Sequence, residues 1–133
     1  MGTVFQFNQK RIFSLEEARS VLPIIQKITE EASQKVRSSL ALLEAVKDRD
    51  AARAKDLEAT VNAAVSGWQA KVEKLGAEAK GIWLVDFDCG TGYYCWKYPE
   101  NNLEHFHAYS EGFQSRVKIP SQPQANPDPM VGA

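Results

Sequence analysis

Residues 81–98 read Gly-Ile-Trp-Leu-Val-Asp-Phe-Asp-Cys-Gly-Thr-Gly-Tyr-Tyr-Cys-Trp-Lys-Tyr, and here a helical chain turns into a sheet. Ile82 to Phe87 is rich in β-formers and reads as a strand. Asp88-Cys89-Gly90-Thr91-Gly92 carries turn chemistry, with two glycines able to take positive φ. Tyr93 to Tyr98 returns as the second strand. Pro99-Glu100-Asn101-Asn102 turns the chain again. Leu103 to Tyr109 alternates as a third strand, with Leu103, His105, His107 and Tyr109 on one face. After Ser110-Glu111-Gly112, residues Phe113 to Ile119 read as a short fourth strand or an extended tail.

Upstream of this stretch the apolar period is helical. Ser14-Leu15-Glu16-Glu17 has the form of a capping box, with Phe13 and Ala18 placed as a hydrophobic staple. Ile25, Ile28, Ala32, Val36, Leu40, Leu43 and Val46 follow at spacings of three or four, forming one stripe. Pro23 removes an amide donor early in this helix, so a kink or a tight break is expected there. Lys27, Glu31 and Lys35 at i,i+4 spacing read as a solvated face. Lys47-Asp48-Arg49-Asp50 interrupts the stripe, and Asp48 or Asp50 is placed to cap a following helix. Leu57, Val61, Val65, Trp68, Val72 and Leu75 make a second stripe, closed by Gly76 as a C-cap. One rod from Pro23 to Leu75 would run about 80 Å, which only a paired subunit could bury. Two antiparallel helices joined near residues 47–52 are the expected arrangement.

The fold class that follows is α+β. A long antiparallel helical hairpin, helices about 14–47 and 51–75, packs on a three- to four-stranded antiparallel meander over about 82–119. Residues 1–119 are expected to form one domain. Phe5 and Phe7 alternate with polar neighbours, as in a short strand. The Pro-rich tail 120–133 has little to bury and is expected to be disordered.

The chain of 133 residues carries a formal net charge of −1, with no basic face to neutralise phosphates, so nucleic acid is not an expected partner. No segment approaches the ~18 apolar residues of a membrane span. No apolar run follows a basic start, so no secretory signal is expected. Cys89 and Cys95 sit across one turn, where a disulfide is conceivable, but two cysteines are no disulfide framework. A cytoplasmic protein with reduced thiols is expected.

The residues that carry chemistry cluster late. Cys95-Trp96-Lys97-Tyr98-Pro99-Glu100 is followed by His107 and by Gly112-Phe113-Gln114-Ser115-Arg116. The ordered set Asp86-Phe87, Cys95-Trp96, Glu100, His107, Gly112-Phe113 and Arg116, behind the opening Phe13-Ser14-Leu15-Glu16-Glu17-Ala18 and Leu22-Pro23, resembles the bacterial family catalogued as domain of unknown function 2203. The resemblance covers about residues 11–119. It implies a shared fold and site, with no established reaction, cofactor or partner. The Asp88–Gly92 turn is shorter than in many members, and His105 stands where an apolar or aromatic residue is expected.

Each candidate has two readings. His105 and His107 share a strand face at metal-ligand spacing, with Glu100, Glu104 or Cys95 as a third ligand; otherwise they are an isolated pair on a sheet surface. CxxC and HExxH patterns are missing, so no cofactor is expected and a divalent metal is the one option considered. Cys95 is either a nucleophile with His107 as base and Arg116 nearby, or a small buried apolar residue. Glu100, His107 and Arg116 form an acid–base group with an anion anchor; otherwise Glu100 and Arg116 pair with each other, or with backbone, to lock the turns. Asp86, inside an apolar strand, is expected to bond backbone or Arg116.

Two functions follow. One is a non-catalytic binding or assembly module, a homodimer using the helical hairpin or the aromatic outer sheet face. The other is a small-molecule or metal site, enzymatic or not, built from Cys95, Glu100, His107 and Arg116.

Overall fold

The computed structural model describes residues 11–120. The strand expected around Phe5 and Phe7, and the Pro-rich tail apart from Pro120, lie outside the described residues.

Helix α1 spans Leu15–Val46 and starts on the expected capping box. The Glu17 amide donates to Ser14 Oγ at 3.0 Å, and the Ser14 amide donates to Glu17 Oε1 at 2.9 Å. Phe13 and Ala18 are both buried beside it. The helix runs unbroken through Pro23, so a stop at Leu22 is excluded. Asp50 caps α2, Ala51–Lys74, by accepting from the Arg53 amide at 3.0 Å. Gly76 leaves α2 at φ +91°, in the left-handed region that costs glycine least.

Five strands follow in a continuous antiparallel meander: β1 Glu78–Gly81, β2 Leu84–Asp88, β3 Tyr93–Lys97, β4 His105–His107 and β5 Val117–Lys118. The α+β class and the hairpin-on-meander architecture agree with the sequence reading. The strand count is five rather than three or four. The unexpected member is β1. Glu, Ala, Lys and Gly are all depleted in strands, so Glu78-Ala79-Lys80-Gly81 has no intrinsic signal and is held by its ladder to β2. A bulge there leaves Lys80 as the extra residue between Ala79↔Val85 and Gly81↔Leu84. The third and fourth strands are shorter than the alternation suggested. Leu103 sits in the core ahead of β4, and Phe113–Ser115 forms a 3₁₀ turn before β5.

The core lies between the hairpin and one sheet face. Phe13, Leu22, Ile25, Trp68 and Val72 meet Val85, Phe87, Trp96 and Leu103. The Trp68 indole donates to Thr29 Oγ1 at 2.7 Å, and that hydroxyl donates on to the Ile25 carbonyl at 2.7 Å. Trp68 also meets the edge of Trp83 at 4.9 Å between centroids. The Arg19 guanidinium binds the Leu103 carbonyl through Nε and Nη2 at 3.2 and 3.0 Å, tying the loop before β4 to α1.

Candidate functional site

Because Val85, Phe87 and Trp96 point at the helices, the alternate residues Asp86, Cys95, His105 and His107 point away. Register then lines up unlike groups. Glu78, Asp86, Cys95, His105 and Lys118 are successive cross-strand partners across the five strands. A lane of ionisable side chains therefore crosses the outer face. Its centre is not wet: Cys95 is fully buried, and Asp86 and His107 are 2% and 3% exposed.

Three contacts organise the centre. The donor atoms of Asp86, Cys95 and His107 all lie within 4.8 Å of one another. His107 Nε2 is 2.9 Å from Asp86 Oδ2, and its Nδ1 is 3.0 Å from the Ala108 carbonyl oxygen. Both ring nitrogens thus face oxygen. With Nδ1–H donating to the carbonyl, the Nε2···Oδ2 contact holds one further proton. Tyr93, the cross-strand partner of His107, packs against the imidazole at 5.4 Å between centroids. The Tyr93 ring carries the Lys80 ammonium 4.5 Å from its centroid.

Arg116 and Glu100 form the flank. Arg116 Nη1 donates to Glu100 Oε1 at 3.0 Å, and Nη2 donates to Oε2, a bidentate pair. The Lys97 amide donates to the same carboxylate at 2.9 Å. Burial alone would raise the Glu100 carboxyl, but Arg116 and the Lys97 amide outweigh it and hold it below its ordinary range. Arg116 also stacks on Phe113 at 4.3 Å.

The structure therefore brings all five sequence-derived candidates onto one region, as two pairs flanking Cys95. His107 pairs with Asp86, not with Glu100. Glu100 takes Arg116, the pairing of the structural alternative, whereas among the described residues the Asp86 carboxylate bonds His107 rather than backbone or Arg116. Cys95 sits between the two pairs, interacting with Asp86 on one side and Arg116 on the other. His105 lies beside Cys95 in register but outside the converging triad. Tyr93 and Lys80 were not read as part of the site. The alternation Tyr93–Cys95 already placed Tyr93 on this face, whereas Lys80 arrives only with the unforeseen β1.

The electrostatics speak against a thiolate nucleophile. Burial, then the Asp86 carboxylate, push the Cys95 thiol up to about 12, and Arg116 offsets this only in part. Both nitrogens of His107 are already engaged, so no free base faces the sulfur. Burial likewise raises the Asp86 carboxyl above its ordinary range, against the lowering influence of His107. Cys89 and Cys95 are both free thiols. At pH 8 a thiol of pKa about 12 is ionised in about one molecule in 10⁴. In chelator-treated native protein Cys95 should resist a thiol reagent such as Ellman's reagent from pH 7 to 9. It should react fully once the chain is unfolded. Two thiols reacting at equal rates in the native state would contradict the buried placement of Cys95.

Fold and site together define a small α+β protein, a helical hairpin on a five-stranded meander, with an ionisable cluster buried on the sheet face opposite the helices. The chain belongs to the family described as an uncharacterized conserved protein, DUF2203, whose match spans residues 11–119. No curated protein and no solved structure matches it. Among the described residues no helix is long and apolar enough to cross a membrane.

Proposed function

We propose that this chain is a non-catalytic assembly module that associates with a second copy of itself through the far half of its hairpin. The observation that carries this reading is one apolar stripe with two fates. Ile25, at the sheet end of α1, is fully buried, whereas Leu40, on the same stripe, is 47% exposed.

The mismatch is one of length. The 32 residues of α1 extend about 48 Å, while a five-residue strand spans only about 17 Å. The sheet therefore covers only part of the hairpin. Beyond it, α1 and α2 have only each other. Their seam there is made largely of small side chains, Ser33 and Ser39 on α1, with Leu57 from α2. Val36, Leu43, Val61 and Val65 remain half-buried. Two far halves packed face to face would close this surface as a four-helix bundle. Charge supports a copy of the same chain as the occupant. Residues 44–58 hold Glu44, Asp48, Asp50, Asp56 and Glu58 against Lys47, Arg49, Arg53 and Lys55, a near-neutral tip that does not repel itself. The free cysteines support a reducing, cytoplasmic setting. The balanced helical half, 11 acidic and 11 basic side chains over residues 14–80, supports a protein rather than a nucleic-acid partner.

Light scattering at high micromolar concentration is expected to give about twice the chain mass of 14.8 kDa. Leu40→Glu should yield a folded monomer. Leu42 is as exposed, at 48%, but lies two residues on and so on another side of the helix. Leu42→Glu should therefore leave the dimer intact. A wild-type chain that stays monomeric sinks this reading.

A further inference from the structure

We propose that Asp86, Cys95 and His107 are the protein ligands of a single divalent transition-metal ion, held between β2, β3 and β4 on the outer sheet face. Each residue is supplied by a different strand, and register brings them together: Asp86 is the direct partner of Cys95, and His107 faces Tyr93, two residues before Cys95. Their donor atoms fall within 4.8 Å of one another, close enough to converge on one ion.

The surroundings fit a ligand set. Nδ1–H of His107 donates to the Ala108 carbonyl at 3.0 Å, which fixes the ring and turns Nε2 toward the cluster, as metal-bound imidazoles require. Nε2 and Asp86 Oδ2, 2.9 Å apart across their hydrogen bond, need to part by only about 0.5 Å to reach the ~3.4 Å between donors of a tetrahedral ion at bonds of about 2.0–2.1 Å. Asp86 Oδ1 is buried and makes no hydrogen bond among the described residues, on a side chain only 3% exposed. The same carboxylate meets His107 through Oδ2 and interacts with the Cys95 thiol. The donor set is one sulfur, one nitrogen and one carboxylate oxygen. Such a set selects Zn²⁺ or Co²⁺ over the all-oxygen preferences of Mg²⁺ and Ca²⁺.

Charge closes as well. On binding, the Cys95 S–H bond breaks, its proton leaves to solvent and a sulfur–metal bond forms. The proton held between Nε2 and Oδ2 leaves with it. Thiolate, carboxylate and neutral imidazole around a dipositive ion sum to zero, the arrangement least costly to bury. Three protein ligands leave a fourth position for water. The cluster lies on the sheet face away from the hairpin and so stands apart from self-association.

The test uses the full chain, stripped with chelator and titrated with Co²⁺. One equivalent is expected to produce a thiolate-to-cobalt charge-transfer band and the strong visible bands of four-coordinate cobalt. Zn²⁺ should then bleach them and raise the melting temperature. Cys89→Ser leaves Cys95 as the sole thiol and should keep the full signal. Cys95→Ser should abolish the charge-transfer band, with circular dichroism reporting whether that variant folds. Absence of the band in wild type at excess Co²⁺, its loss in Cys89→Ser, or its survival in folded Cys95→Ser would overturn the assignment. Should Cys95→Ser fail to fold, the Cys89→Ser result decides alone.

Discussion

Trp68→Ala is expected to lower stability by about 3–5 kcal/mol, the cost of emptying a fully packed aromatic site. Trp68 is 2% exposed and joins both layers of the fold. Its indole donates to Thr29 on α1 at 2.7 Å, and its ring meets Trp83, in the turn between β1 and β2, at 4.9 Å. For a domain of this size that loss corresponds to a fall of roughly 10–20 °C in melting temperature. Trp68→Phe separates the two contributions. It keeps most of the ring volume and loses the hydrogen bond, at about 1 kcal/mol. The Thr29 hydroxyl would not be orphaned, because it still donates to the Ile25 carbonyl. Thermal and urea unfolding measure both variants. A fall of under 3 °C for Trp68→Ala would mean that the hairpin and sheet do not depend on this seam.

Gly92→Ala should cost about 3 kcal/mol and should also displace the cluster. A Cβ at Gly92 would stand 2.5 Å from the His107 carbonyl oxygen, with Phe106 ring atoms at 2.7 and 2.9 Å. The phenyl ring can swing aside. The carbonyl belongs to the β4 backbone and cannot move without opening the β3–β4 ladder. His107 would shift away from Asp86, and the Cys95 thiol should become accessible to reagents in the native state. Gly112→Ala is the control. It meets nothing within 4 Å, so its effect should stay within about 0.5 kcal/mol. Equal stabilities for the two variants would contradict the close approach of β4 to the β3 turn.

The helical half was the most legible part of the chain. Capping-box chemistry at Ser14 and Glu17, the Asp50 cap and the two stripes are local signals, and the helices follow them. Pro23 shows the limit of local reasoning. A proline in a third helical turn argues for a break, yet the packing of Ala18, Leu22 and Ile25 on both sides of it keeps one continuous helix. Strand β1 shows the same limit in reverse. Nothing in Glu-Ala-Lys-Gly favours a strand, and its partner β2 supplies the reason it forms one.

The site divides along the same line. Alternation along each strand put His105 with His107, and Tyr93 with Cys95, because side chains of one strand alternate with period two. Which of these groups touch across strands depends on register. A shift of one residue in β3 would have sent Cys95 into the core and Trp96 to the outer face. The Asp86–His107 pair, the bidentate Glu100–Arg116 pair and the place of Cys95 between them are all products of that register.

The amino-acid order thus determined, without help, where the two helices are capped, which positions are apolar, and that thiol, imidazole, carboxylate and guanidinium gather late in the chain. Those features rest on interactions within a few residues, which a linear pattern encodes. Only the tertiary structure decided that Asp86 meets His107 beside Cys95, and that the outer half of a 32-residue helix outruns its sheet. Both depend on ladders and layers formed between segments far apart in sequence, whose relative placement is set by packing the core as a whole.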